Sequence, residues 1–123
     1  MFSHSGQYIL TGSDDKTARI WDAVTGKQIR VLSGHSAAVT SVALSPDGER
    51  ALTASADFTA KVWDASTGKE VLNLKGHTQE VTSASFSASG RYALTSSRDG
   101  TAILWLTTER NDLDADAVAS RVE

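Results

Sequence analysis

Cysteine is absent from the 123 residues, which excludes disulfides and thiolate metal sites. Only three histidines occur, His4, His35 and His77, and their separation gives no metal-ligand spacing. A glycine-rich phosphate loop of the G-x-G-x-x-G or G-x-x-x-x-G-K type is missing. No metal or cofactor is therefore expected. No apolar run approaches the roughly 20 residues that cross a bilayer, so no membrane partner is expected. The opening stretch MFSHSGQYIL has neither a basic n-region nor a long apolar segment, so it does not read as a secretory leader. The expected location is the cytoplasm. Excess positive charge is lacking too. The formal net charge is -3, and the whole excess lies in 109–123, where Glu109, Asp112, Asp114, Asp116 and Glu123 outnumber Arg110 and Arg121. Residues 1–108 are charge-balanced and carry no basic stripe to neutralise phosphates, so no nucleic-acid partner is expected.

What the chain does have is a period. Trp21, Trp63 and Trp105 recur at a step of 42, as do Asp15, Asp57 and Asp99, and the turn glycines Gly6, Gly48 and Gly90. His35 and His77 keep the same step. A fixed period of this size marks a stacked repeat architecture. Within it, short runs rich in β-branched and apolar residues alternate with turn residues. The middle unit reads as four strands: Val39–Ser45, Arg50–Ser55, Thr59–Asp64 and Lys69–Leu74. Pro46-Asp47-Gly48 makes the first turn, with proline presetting φ and glycine tolerating positive φ. Four short strands with short loops predict an antiparallel hairpin-linked sheet. Apolar residues of both parities, such as Ala51 beside Leu52, predict that it buries both faces against neighbours.

The outer units depart from this pattern. The first starts near the end of its first strand, at Met1-Phe2, and continues with strands Tyr8–Ser13, Thr17–Asp22 and Gln28–Leu32. The third repeats three strands, Val81–Ser87, Tyr92–Ser97 and Thr101–Thr107. It then has Leu106 where Asp is due and continues as DLDADAVASRVE. Its aspartates are poor strand formers, so 109–123 is expected to be an acidic tail, disordered or a short helix from about Asp114.

The pairs Gly34-His35…Trp63-Asp64 and Gly76-His77…Trp105-Leu106, with Trp21-Asp22 before them, resemble the WD-repeat β-propeller family. The resemblance covers residues 1–108 and implies an all-β fold of four-stranded antiparallel blades. This chain would supply about three of them, in units of about 1–33, 34–75 and 76–108. It implies no catalysis. His, Asp and a hydroxyl could also compose a Ser-His-Asp hydrolase, but the set recurs in successive units, and an enzyme does not repeat its catalytic set. The resemblance implies instead a hydrogen-bond chain from indole to hydroxyl to imidazole to carboxylate. Its members would be Trp63, Thr53 (rather than Ser55), His35 and Asp57; Trp105, Thr95, His77 and Asp99; and, without a histidine, Trp21, Thr11 and Asp15. His4 is no substitute, since it occupies the turn position of Pro46.

The family's contact face carries over onto Asp14 in the first unit, Ala38, Thr40 and Ala56 in the second, and Glu80, Thr82 and Arg98 in the third. Phe58 joins them as an aromatic at a turn tip where Lys16 and Gly100 stand in the other units. The function this implies is a non-catalytic protein-interaction scaffold with a protein or peptide partner. The alternative is an accessory or sensor propeller segment of a larger multidomain enzyme such as a kinase. Three blades leave two faces open, so further blades are expected, from a longer parent chain or, second, from homo-oligomerisation. A truncated reading frame is the third explanation.

Overall fold

The computed structural model describes residues 1–107 and 118–122. The described residues form strands and turns only, in three antiparallel sheets. The first contains β1 (Tyr8–Gly12), β2 (Thr17–Asp22) and β3 (Gln28–Ser33). The second contains β4 (Val39–Leu44), β5 (Arg50–Ser55), β6 (Thr59–Asp64) and β7 (Glu70–Lys75). The third contains β8 (Val81–Phe86), β9 (Tyr92–Ser97), β10 (Ala102–Leu106) and β11 (Val118–Val122).

One expectation is corrected here. Val118–Val122 is not tail or helix but a strand, antiparallel to β10 with Ala102 opposite Val122 and Leu104 opposite Ser120. Two valines in VASRV and an open β10 edge outweigh the aspartates upstream, because strand preference follows the pairing surface more than composition. The acidic stretch 109–117 lies outside the described residues.

The turns follow from short polar side chains. Asp47 Oδ1 accepts from Ser45 Oγ (2.6 Å) and from the Glu49 amide (2.9 Å), and Gly48 takes the positive φ of 75°. Asp22 and Asp64 cap the β2–β3 and β6–β7 turns, each accepting from backbone amides two and three residues on. A register shift precedes every tryptophan, at Ile20/Trp21, Val62/Trp63 and Leu104/Trp105. The bulge is thus part of the repeat and re-aims the indole.

Two cores hold the three sheets together. Leu10, Ala18, Ile20 and Leu32 of the first sheet pack on Leu44, Ala51 and Trp63 of the second. The opposite face of the second sheet presents Leu52, Ala60, Val62 and Leu74 to Val81, Ala93, Ile103 and Trp105 of the third. Among the described residues, only the middle sheet is covered on both sides. Leu10 and Leu52 are fully buried, whereas Leu94, 42 residues further on, is 46% exposed. Arginines strap neighbouring sheets: Arg50 Nη1 donates to the Thr107 carbonyl at 3.2 Å, and Arg30 donates to the Ser66 carbonyl.

Candidate functional site

The chemically distinctive residues converge at one end of each sheet. In the second, the segment entering β4 brings His35 over the turn between β5 and β6. The Trp63 indole donates to Thr53 Oγ1 at 2.9 Å. Thr53 Oγ1 lies 2.6 Å from His35 Nε2, and Nδ1 lies 2.8 Å from Asp57 Oδ2. An ionised carboxylate only accepts, so Nδ1 carries the proton, Nε2 accepts, and the threonine hydroxyl donates to it. The third sheet repeats the chain: Trp105 to Thr95 at 2.8 Å, Thr95 to His77 at 2.7 Å, and His77 to Asp99 at 3.0 Å.

Residues that the spacing had not singled out complete the arrangement. Thr59 donates to Asp57 Oδ1 from its amide (2.9 Å) and its hydroxyl (2.6 Å), and Thr101 does the same for Asp99. The second oxygens take the amides of Ser36 (3.0 Å) and Thr78 (2.9 Å). Threonine recurs two residues after each motif aspartate, at Thr17, Thr59 and Thr101, and that is the signal which could have revealed it. Ser55 points elsewhere, donating to the Ala37 carbonyl.

The electrostatics follow. Burial alone would raise the Asp57 pKa, but hydrogen bonds from Thr59, His35 and Ser36 outweigh it and hold the carboxyl at about 2. Asp99 is driven further below the carboxylate range by the same kind of donors, led by Thr101 against an opposing burial effect. Burial pushes His35 down, against the pull of Asp57, which favours the neutral ring. Both imidazole nitrogens are occupied, and Thr53, fully buried, has its proton committed to His35 and lies out of reach of an external substrate. The constellation can fasten a loop to a sheet; it cannot run general-base chemistry on a bound molecule without dismantling itself. Among the described residues no three His, Asp or Glu side chains converge on a common point.

The first sheet is built the same way up to a point. Trp21 donates to Thr11 Oγ1 at 2.9 Å, and Asp15 Oδ1 accepts from the Thr17 amide (3.0 Å) and hydroxyl (2.6 Å). Asp15 Oδ2 meets Arg19 Nη2 at 3.2 Å instead of an imidazole. Thr11 and Asp15 are exposed, and Trp21 is half-buried.

The candidate contact residues lie around these same turns. Asp14, Thr40, Phe58, Thr82 and Arg98 are exposed, and Ala38, Ala56 and Glu80 are half-buried. The Ala56 amide bonds to the Ala38 carbonyl at 2.9 Å, and the Arg98 amide to the Glu80 carbonyl at 3.0 Å. On that shared backbone the second sheet presents two methyl groups. The third presents a solvent-exposed ion pair, Arg98 Nε to Glu80 Oε2 at 3.4 Å. Thr40 is less free than its exposure suggests, because its hydroxyl donates to the Val81 carbonyl of the next sheet. Phe58 has φ of 79°, matching Lys16 (79°) and Gly100 (86°) at the equivalent turn positions. A bulky residue there is strained.

At the opposite strand ends a cleft of about 470 Å³ opens between the first two sheets, lined among others by Tyr8, Arg30, Arg50 and Asp64. Its two arginines are partly engaged with the carbonyls already named.

Three stretches, residues 1–22, 26–64 and 68–105, match the family described as WD domain, G-beta repeat. The nuclear distribution protein PAC1 of Mycosarcoma maydis is 48% identical over 46 residues, 37% of this chain and 10% of that protein. Transcription initiation factor TFIID subunit 5 of Caenorhabditis elegans is 46% identical over 41 residues, 33% of this chain and 6% of its own length. PAC1 of Arthroderma benhamiae is 50% identical over 44 residues, 36% of this chain and 10% of that protein. Each match thus spans a tenth or less of these relatives.

Proposed function

The chain belongs to the family of the WD domain, G-beta repeat, and from that premise we propose that it is a non-catalytic scaffold for protein–protein interaction. The observation that carries the reading is the contrast on an invariant frame. The buried network repeats in the second and third sheets, while the turn residues beside it change from the half-buried Ala38 and Ala56 to Glu80 and the exposed Arg98. A repeated frame with variable tips can present different chemistry to a partner without altering the fold. The contact set is Asp14, Ala38, Thr40, Ala56, Phe58, Glu80, Thr82 and Arg98, and the partner is a protein or peptide. We place the chain in the cytoplasm; among the described residues no helix is long and apolar enough to cross a membrane.

The scaffold also takes further blades. Leu94 is exposed where Leu52 is buried, and Trp21 is half-buried where Trp63 is buried. Each end of the stack therefore offers one half of an interface used twice inside the chain. Light scattering of the chain alone tests this: a discrete dimer or trimer fits closure between copies, and a stable monomer refutes the need for covered faces. For the scaffold itself, R98E and F58A should leave the unfolding midpoint within about 0.5–1 kcal/mol of the parent while weakening partner capture. A partner indifferent to both, or turnover abolished by H35A in a chain that stays folded, would overturn the reading.

A further inference from the structure

We propose that the cleft between the first two sheets binds a partner's peptide segment in which an apolar side chain adjoins a lysine or arginine. Its volume of about 470 Å³ falls within the range of small-ligand sites. Ile20 and Leu44, 4% and 6% exposed, form an apolar floor, to which Ala65 adds a methyl group. Tyr8 and Ile29 stand at the rim, each 41% exposed. An incoming apolar side chain thus has a floor to rest on and walls to cover, the usual setting of a binding anchor.

The repeat itself shows why this cleft is open and the next is not. At the positions equivalent to Tyr8 and Ala65, one period on, stand Arg50 and Thr107. Those two close the space between the second and third sheets. Arg50 Nη1 donates to the Thr107 carbonyl at 3.2 Å, and the Thr107 hydroxyl donates to the Gly90 carbonyl at 3.1 Å. Phe86, packed against the core, stands where Leu44 stands in the first cleft. The space that remains is about 260 Å³ and is walled mainly by polar residues such as Ser45, Asp47, Ser89 and Thr107. Tyr8 and Ala65 make no such strap among the described residues, so the apolar floor of the first cleft stays accessible.

Charge decides what adjoins the apolar group. Glu49 and Asp64 both line the cleft, and among the described residues neither has an ion-pair partner. Asp64 accepts from the Ser66 hydroxyl (2.7 Å) and amide (2.9 Å) and from the Thr67 amide (3.2 Å), always at Oδ1. Its Oδ2 is left for a ligand. The Ser66 bonds, with a smaller pull from Arg50, hold this carboxyl below its ordinary pKa, so it stays charged. Arg50 itself ends on the third sheet. Arg30 is anchored to the Ser66 carbonyl through one nitrogen, and its other N–H groups can serve a ligand's main-chain carbonyl. A cation beside the seated side chain therefore meets two carboxylates, where an acid meets repulsion.

The cleft lies at the strand ends opposite the contact set of Ala38, Phe58 and Arg98, so the two sites are judged separately: F58A and R98E should leave this binding unchanged. The test is an amide-shift titration of the whole chain by nuclear magnetic resonance. The probes are acetyl-Gly-Leu-Lys-Gly-amide and its Lys→Glu and Leu→Ala versions. Saturable shifts at Ile20, Ile29 and Ala65 are expected, with each altered peptide at least about fivefold weaker. Y8R combined with A65T installs the strap of the neighbouring cleft and should weaken binding at least about tenfold. E49R copies the third sheet's Arg91 and should abolish the preference for lysine over glutamate; it decides the matter if the double variant does not fold. Equal binding of the lysine and glutamate peptides, a preference for glutamate, or no saturation overturns the site. So do shifts confined to the turns around Ala38 and Ala56, or undiminished binding by a folded double variant.

Discussion

Replacing Thr53 by valine removes one hydroxyl and keeps the shape of the side chain, so its effect isolates the hydrogen-bond chain from packing. The Trp63 N–H loses its acceptor and His35 Nε2 loses its donor, in side chains whose residues are 1% and 6% exposed. Water does not readily replace a partner at that depth. Each stranded buried group costs about 1–3 kcal/mol, so T53V should lose about 2–6 kcal/mol. T95V should match it, because Trp105 and His77 are equally buried. T11V is the internal control: Thr11 is exposed, Trp21 is half-buried and no imidazole is attached, so its cost should stay under about 1 kcal/mol. Urea denaturation followed by tryptophan fluorescence and by far-ultraviolet circular dichroism measures all three on one scale. A domain of this kind has roughly 5–15 kcal/mol in total, so the contrast is large. Equal losses for T11V and T53V, or a T53V loss below about 1 kcal/mol, would refute the claim that burial gives the network its energetic weight.

Three further outcomes follow from the structure. Leu52→Ala empties a closed core and should cost about 2–5 kcal/mol, whereas Leu94→Ala at the equivalent exposed position should cost well under half of that, as urea midpoints will show. Phe58→Gly relieves a positive φ and should raise stability by about 1 kcal/mol; a drop in midpoint would mean that the ring packs on its surroundings. Acid should weaken the fold in two windows. The lowered His35 pKa means the unfolded chain binds the extra proton first, so stability falls as pH drops below about 6.5. The Asp57 contribution, present above about 4, is lost as pH approaches about 2. A urea midpoint unchanged between pH 7.5 and 5 would contradict the first, and a His35→Gln variant should flatten it.

Much of this was readable in the residues themselves. The 42-residue step exposed the sheet count, the turns at Asp47 and Asp57, and the tryptophans, because a repeat displays its own alignment. Other features had no such signal. The Arg50 and Arg30 straps end on carbonyls of Thr107 and Ser66, and a backbone acceptor leaves no mark in composition. The bulge ahead of each tryptophan changes strand register without needing a glycine. β11 was hidden by the aspartates preceding it, since a strand at a sheet edge is decided by the partner it finds. Leu94 and Leu52 read alike in the sequence, yet a neighbouring sheet covers only the second.

Two shared cores among three sheets also set how the molecule should breathe. With nearest-neighbour coupling, opening an end sheet breaks one interface, while opening the middle one breaks both. Amide protons of β5 and β6, whose residues are buried along nearly their whole length, should exchange slowest with deuterated water. Those of β1 and β9 should exchange sooner, through fraying that leaves the centre intact. Losing one end sheet would leave the remaining pair with a single contact. The number of sheets in the stack, more than the quality of any one, then decides whether the protein persists.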